Sequence, residues 1–500
     1  MSDLATWQRI RRYAVPERMI AECTAARERG DWRAACAAAD VAVGFDSPAG
    51  VEDLVAGFAP DLLRWHLPRA LGGYTTLATD ASYVLYGTSP VTAGTKVLVV
   101  HAPVSVLGSQ QLRLEIAAYG SLNATRVIRL APHLWDARRA GELRAVVGGP
   151  TSPHTPLGSG VPAWAEAGVE ATVDDEGSTP FDLARLAWLD PFLLAAEARR
   201  VAALFGSPSW AIWFDYNNLA KVDVEGGAVR LTAISLDWRS RRREDHNQLP
   251  QLSAALLRPS ADLDLVRSGR TRVTELHPLV REALFPAAAA PAAAPAPAEP
   301  PIRVRCRGVW HEIEHAHGRL VLREHTAAEE QRERALLAFG GTVSGCFAAA
   351  QAWSGKPGRL PKRLRAIRED LWQRIIHGGT RTVLEMLDAG LDPALRNGRG
   401  HTLMHMVRSF DHTRLLPRLL AEGADINARD RQGSTPLYLA VTQDWPAGLI
   451  RAMVDAGADP RVPNQDDMSV LEYLDEMLEY MEHRGEDFHA VATYIQERAA

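Results

Sequence analysis

The chain has 500 residues, of which 46% are hydrophobic and 23% charged, with a formal net charge of −5 at pH 7. These proportions are ordinary for a soluble globular protein, and the length suggests about two to four domains. The mild negative charge argues against general attraction to nucleic acid or anionic membranes, and no apolar run reaches transmembrane length.

Residues 1–285 carry both helical and strand-like patterns. Helical composition dominates 16–43, strand-like runs follow in 74–87, 95–107 and 111–120, and Gly226-Gly227 suits a hairpin turn between two further strands. The order of patterns predicts a mixed α/β N-terminal domain of overall α+β class. Its fold cannot be named from the residues.

A Pro/Ala-rich stretch at 286–301 reads PAAAAPAAAPAPAEPP. Such a segment has almost no charge and too few large apolar side chains to form a core, and its prolines favour an extended backbone. We therefore predict a semi-rigid linker between the N-terminal domain and everything that follows.

The next segment, 302–363, contains HEIEH at 311–315, which spells the H-E-x-x-H signature of zinc peptidases. Residues 302–325 alternate with the period of a strand, and a turn at His317-Gly318 would place Ala316 opposite Arg319. On a strand, His311 and His315 lie roughly 13 Å apart, too far for one zinc ion. We expect a charged β-hairpin rather than a protease site.

Helices are expected after this hairpin. Thr326 and Glu329 form a T-x-x-E capping box, which predicts a helix start near Thr326. A second helix is expected to begin at Cys346, whose position at a helix start favours a reactive thiol, although the following FAAA suggests a buried structural residue.

From about residue 364 the sequence becomes periodic. The segments AGLDPALRN (389–397), EGADINARD (422–430) and AGADPRVPN (456–464) recur at steps of 33 and 34 residues, and GHTLMHMV and GSTPLYLAV follow the first two. Gly423 and Gly457 are placed where a helix end needs a positive φ, and Pro417 and Pro446 where second helices would begin. This pattern resembles the ankyrin repeat family, over about 135 residues.

The resemblance implies an all-α stack of helical pairs at 364–500, with units at about 366–398, 399–431 and 432–465 and a terminal cap at 466–500. It also implies a protein partner bound by the loop tips and by the ends of the first helices. The family's variable positions correspond here to Arg399, His401, Ser409, Arg431, Gln432, Ser434, Thr442 and Gln443.

Other motifs are weaker candidates for chemistry. GTSPVTAGTK (87–96) departs from the spacing of a phosphate-binding loop, and the arginine-rich stretch 237–248 is flanked by acidic residues, so both read as surface loops. Possible pocket residues in the N-terminal domain are Trp65, His66, Trp210, Trp213, Asp215 and Tyr216.

The sequence leaves two possible functions open. The first is an interaction protein or adaptor, in which the N-terminal domain has an unknown role. The second is an enzyme with its site in 1–285 and the repeats as a targeting module. We assign no catalytic residue, cofactor or metal and expect neither nucleic acid nor membrane as a partner; the oligomeric state is open.

The cellular location follows from the cysteines and the N-terminal residues. Four cysteines without a C-x-x-C pairing predict reduced thiols, and the first residues lack the apolar run of a signal peptide. We therefore expect a cytoplasmic protein, and the Ala, Arg, Gly and Pro bias is typical of GC-rich bacteria.

Overall fold

The structure is a computed structural model that describes residues 4–147, 161–174, 186, 188–236, 242–288, 301–316, 318–355, 358, 360–480 and 486–499. The chain divides into two compact units, which are Met1–Val106 with Gln110–Ala294 and Pro295–Ala500 with Leu107–Ser109. Most of the predicted linker, 289–300, and residues 237–241 of the arginine-rich stretch lie outside the described residues.

Two mixed sheets form the framework of the first unit. The five-stranded sheet has the order β1-β6-β5-β4-β7, with β1–β6 and β4–β7 parallel, and the four-stranded sheet has the order β8-β11-β10-β9, with β8–β11 parallel. A small sheet pairs β2 with β3. The strands are β1 Val41–Val43, β2 Arg69–Leu71, β3 Tyr74–Leu77, β4 Ser82–Leu85, β5 Lys96–His101, β6 Leu112–Ala118, β7 Val127–Leu130, β8 Val169–Asp174, β9 Ser209–Trp213, β10 Asn218–Glu225 and β11 Ala228–Ser235.

Helices cover these sheets, so the first unit is a mixture of helix and strand. Along β5, Leu98 and Val100 join one apolar core while Val97 and Val99 join another, because successive side chains of a strand point to opposite faces. The five-stranded sheet is therefore buried on both faces. The helices are α1 Leu4–Tyr13, α2 Glu17–Glu28, α3 Trp32–Ala38, α4 Glu52–Gly57, α5 Pro60–His66, α6 Leu143–Val147, α7 Val161–Glu166, α8 Pro191–Phe205, α9 Arg242–Asn247, α10 Ala261–Arg267 and α11 Pro278–Leu284.

The predicted hairpin at Gly226-Gly227 is confirmed. Strand β10 pairs antiparallel with β11, and Glu225 lies opposite Ala228 across a two-residue turn. Both glycines have positive φ, +57° and +87°. A two-residue turn of this kind needs positive φ at both positions, which glycine adopts without steric cost.

The second unit begins with a three-stranded antiparallel sheet, β12 Ile302–Cys306, β13 Val309–Ala316 and β14 Arg319–Val321. Ala316 lies opposite Arg319, so the predicted register is confirmed. The capping box is also confirmed, since Thr326 Oγ1 accepts from the Glu329 backbone N–H and Glu329 Oε2 accepts from that of Thr326.

The rest of the second unit is helical. Its helices are α12 Ala327–Ala338, α13 Gly345–Trp353, α14 Lys362–Asp388, α15 His412–Ala421, α16 Pro436–Thr442, α17 Ala447–Asp455, α18 Val470–Tyr480 and α19 Glu486–Ala499, with a 3-10 helix at Met404–Ser409. Gly379 has non-helical φ and ψ and divides α14 into two helical parts. None of the helices in the described ranges is both long and apolar enough to cross a lipid bilayer.

The helical pairs share one core with the sheet. Leu415 and Leu419 of α15 and Leu449 of α17 are almost fully buried in it, while the opposite faces carry the polar side chains. Pro446 precedes α17 as predicted, but the placement of Pro417 was wrong, because α15 starts five residues earlier, after its N-cap Asp411. The apolar face of each pair is buried by its neighbours, as expected of a stack.

Candidate functional site

Three loop tips of the second unit are closed in the same way. The side-chain oxygens of Asn397, Asp430 and Asn464 each accept two backbone N–H groups from the residues two and four positions later, at 2.8–3.0 Å. The backbone N–H of each of these residues also donates to a carbonyl four residues later, at 2.9–3.0 Å. An Asn or Asp at this position thus builds the tip locally.

The tips are bonded to one another. The Arg431 N–H donates to the Arg399 carbonyl at 3.2 Å, and the Gln465 N–H donates to the Gln432 carbonyl at 2.9 Å. A Cβ atom on Gly433 would lie 2.9 Å from the Gln465 nitrogen. The tip glycine therefore permits the close approach that this bond requires.

Hydrogen bonds from arginine and histidine side chains also hold neighbouring units together. Arg396 donates to the Gly400 carbonyl at 2.8 Å and also to the Arg429 carbonyl of the next unit. His405 Nδ1 lies 3.0 Å from Thr402 Oγ1, and its Nε2 lies 3.2 Å from the Ser434 carbonyl. These bonds fix the spacing of the tips, so the exposed side chains are presented on a rigid support.

The predicted partner-binding residues differ in how far their side chains are exposed to solvent. Arg399, Arg431, Gln432 and Gln443 are exposed, and His401, Ser409 and Thr442 are half-buried. Ser434 is only 4% exposed, because the tip turns its side chain inward, so it is not placed to meet a partner.

Two of the half-buried side chains have intramolecular roles. His401 Nε2 lies 3.3 Å from Asp430 Oδ2, and burial lowers the pKa of His401 despite that carboxylate. Thr442 Oγ1 donates to the Tyr438 carbonyl at 2.8 Å. The outward surface is accordingly built mainly by Arg399, Arg431 and Gln432.

Sequence reasoning missed the third tip. Gln465, Asp466 and Asp467 are exposed there, and Asp467 has φ +55° at the position that Gly400 and Gly433 occupy in the first two tips. The N-x-x-D spacing of this loop could have revealed it, but its QDDMSV sequence lacks the T-P-L opening. No later tip packs on Asp467 within the described residues, which explains why a Cβ is tolerated.

In the first unit, the predicted pocket residues Trp65 and His66 border a buried ion-pair network. Arg11 Nε lies 2.6 Å from Asp262 Oδ1, and Trp65 Nε1 donates to Asp262 Oδ2 at 3.1 Å. Burial lowers the pKa of His66, whose Nε2 is buried without a hydrogen-bond partner in the described structure. This geometry favours a structural role for the network.

The remaining candidates of the first unit also have local roles. Asp215 Oδ1 accepts the backbone N–H groups of Asn217 and Asn218 in a turn, and Tyr216 beside it is exposed. Trp210 and Trp213 lie on β9, where Trp210 is fully buried. Residues 87–95 connect antiparallel β4 and β5, so no helix follows them as a phosphate-binding loop requires.

A cavity of about 220 Å³ opens beside Arg27 and Glu52. The Arg27 guanidinium is bonded to Asp61, and Glu52 accepts the Gly50 N–H at 2.9 Å. Because both charged groups are engaged in the fold, we assign neither of them as a catalytic acid or base.

HEIEH lies on strand β13, so the arrangement of a zinc peptidase, which needs a helix, is not formed. His311 instead lies against His325, whereas the His315 ring packs against Trp353 with centroids 5.1 Å apart. Burial, followed by the neighbouring Cys306, raises the pKa of Cys346 to about 12, which leaves this thiol protonated and unsuited to nucleophilic attack.

One group of side chains among the described residues has the geometry of a metal site. Cys306, His311, His325 and Cys346 each offer a ligand atom, and these atoms all lie within 4.8 Å of one another. No metal ligand was predicted from the sequence, in which these four residues are spread over 41 positions and form no compact motif.

Comparison with known proteins bears on the repeats. No protein-family model matches the chain. The ankyrin repeat-containing protein P1E11.10 of Schizosaccharomyces pombe is 32% identical over 113 residues, 23% of this chain and 53% of that protein. The putative ankyrin repeat protein FPV219 of fowlpox virus is 32% identical over 63 residues, 13% of this chain and 14% of that protein.

These likenesses support an ankyrin repeat region in the chain. The chain spans about half the length of the first relative and about a seventh of the second. They do not address the N-terminal domain.

Proposed function

We propose that the ankyrin repeat region binds a protein partner through its exposed loop tips. The observation that carries this proposal is the alignment of the tips by backbone hydrogen bonds, which leaves Arg399, Arg431 and Gln432 outside on a rigid support. A preorganised surface loses little conformational freedom on binding, which favours affinity. The named relatives, both ankyrin repeat proteins, support an interaction role at this coarse level.

The charges of the tips suggest the chemistry of the partner. The first two tips expose Arg399 and Arg431, and the third exposes Asp466 and Asp467. A partner with acidic groups opposite the arginines and a basic group opposite the third tip would match this distribution. In the full proposal the chain is a cytoplasmic adaptor that presents its N-terminal domain to this partner, and its four free cysteines agree with a reducing compartment.

Affinity capture followed by mass spectrometry tests the proposal. We expect the double variant Arg431→Glu and Gln432→Ala to lose at least one protein that the wild type captures from the native host. Arg414→Glu on α15 is the matched control, because Arg414 is exposed but lies outside the tips. Circular dichroism should show the same melting temperature for all three proteins. Capture of the same set by wild type and double variant would refute the proposed surface.

A further inference from the structure

The strongest unassigned feature lies before the repeats, where four potential ligands meet. Cys306 ends β12, His311 lies on β13, His325 precedes α12, and Cys346 lies in the first turn of α13. Two sulfur and two nitrogen ligands are a donor set typical of structural zinc sites. We propose that these four side chains bind one Zn²⁺ ion as a structural site.

The spacing of the ligand atoms suits this ion. Tetrahedral zinc, with bonds of about 2.0 Å to nitrogen and 2.3 Å to sulfur, holds its ligand atoms about 3.3–3.8 Å apart. The four atoms here lie within 4.8 Å of one another, and His311 Nδ1 is 2.9 Å from His325 Nε2. Small side-chain adjustments, including a widening of the His–His distance by about 0.4 Å, would complete the tetrahedron.

The site is mostly buried, with His311 half-buried at its edge. Cys306 and Cys346 are each 1% exposed, and the side chain of His325 is 3% exposed. Phe347 covers it from one side, with its ring centroid 4.5 Å from that of His325. Four protein ligands leave no position for water or substrate, so the site is structural rather than catalytic.

The other nitrogen of His325 provides independent support. Among the described residues, Nδ1 is buried with no hydrogen-bond partner, and the Glu329 carboxylate oxygen Oε2 lies 3.9 Å away. Histidines that bind a metal through one nitrogen usually donate the N–H of the other to a carboxylate, a backbone carbonyl or water. The capping box holds Glu329 in this place, so α12 orients the proposed ligand.

The backbone is shaped around the sulfur atoms. Gly345, directly before Cys346, has φ +61°, and a Cβ atom there would lie 2.6 Å from Cys306 Sγ. Only glycine allows this approach without displacing the thiol. On binding, Cys306 and Cys346 would each release a proton, so that two thiolates and Zn²⁺ form a neutral buried group.

The ion would join the sheet to the helices that precede the repeats. Cys306 and His311 belong to paired strands, whereas Cys346 belongs to α13, whose Trp353 donates to the Gly318 carbonyl at 2.8 Å. Both α13 and the sheet contribute to the core that continues through α14 into the repeats. The proposed zinc would therefore hold together the sheet and α13, on which the first repeat packs through α14.

The metal content of the full-length protein is the first test. The protein, purified with a tag free of histidine and under reducing conditions without chelators, should contain about one zinc per chain by elemental mass spectrometry. Exchange with Co²⁺ should give the intense visible absorption of tetrahedral cobalt and a thiolate charge-transfer band. Wild-type protein that holds less than about a tenth of an equivalent of zinc and gives no such spectrum would overturn the proposal, as would a Cys306–Cys346 disulfide in its place.

Variants then identify the ligands. Cys346→Ser and His325→Asn should each lower the zinc content at least tenfold, whereas Cys36→Ser and His315→Gln should leave it unchanged. His315 is the informative control, because an H-E-x-x-H site would need it. Zinc that is retained in both ligand variants, or lost equally in His315→Gln, would contradict the assignment.

A milder change avoids the risk that a ligand variant fails to fold. Glu329→Gln keeps a side chain that suits the capping box but removes the carboxylate beside His325, and it should weaken zinc affinity about 10- to 100-fold in chelator competition. Glu330→Gln is the matched control, since Glu330 pairs with Arg334 instead. Equal affinities of the two variants would refute the role of Glu329 and, with it, the proposed binding through His325 Nε2.

Discussion

The close packing of the loop tips predicts that Gly433→Ala destabilises the repeats far more than Gly423→Ala. Both glycines have positive φ, +75° and +80°, so both substitutions place alanine in a left-handed conformation that costs about 1–2 kcal/mol. At Gly433 the added Cβ would also lie 2.9 Å from the Gln465 nitrogen and 3.1 Å from Arg429 Nη2, whereas at Gly423 it meets nothing within 4 Å. Such overpacking adds about 1–3 kcal/mol.

Native-state hydrogen exchange measures this difference locally. The free energy of opening in peptides from 425–470 should fall by about 2–5 kcal/mol in Gly433→Ala and by about 1–2 kcal/mol in Gly423→Ala. Exchange is preferable to a single melting curve, because the chain has two compact units. A loss of stability that is equal in both variants would refute the claim that adjacent tips are in contact.

Two further predictions concern buried charges. Burial lowers the pKa of His405 from 6.5 to about 4, so the stability present above pH 6.5 should fall by about 3 kcal/mol as the pH drops to 4, because over this range the unfolded chain binds the proton more strongly than the folded chain. In urea unfolding, His405→Tyr, which copies Tyr438 of the next unit, should lack that part of the pH dependence, and an unchanged dependence would contradict the prediction. Asp61→Ala should cost about 3–5 kcal/mol in thermal unfolding, because Arg27 and His277 both bond to this buried carboxylate and would lose it. Asp53→Ala at an exposed pair should cost less than about 1 kcal/mol, and comparable losses would contradict this contrast.

Local signals predicted the elements that depend on neighbouring residues. The turn at Gly226-Gly227, the capping box of Thr326 with Glu329 and the pairing of Ala316 with Arg319 all involve groups close in sequence. The 33-residue period likewise placed two tips, because each tip is built by one Asn or Asp acting on its own loop.

Features that depend on distant contacts could not be predicted in this way. The parallel pairs β1–β6, β4–β7 and β8–β11 join strands that are far apart in the chain, so the fold of the first unit stayed open. The Cys/His cluster depends on how α13 packs on the sheet, and the inward side chain of Ser434 depends on the path of its tip. As a possible metal ligand, His311 was considered with His315, its partner in a known motif, and not with His325.

The proposed interaction surface is tested most directly by a photoreactive crosslinking residue placed in turn at Gln432 and at Arg414 in the native host. Both positions are exposed, but only Gln432 lies on a tip. Our account predicts a specific protein adduct at Gln432 that is absent at Arg414 and disappears when Arg431→Glu is added. An adduct formed at Arg414 and not at Gln432 would show that the partner binds elsewhere.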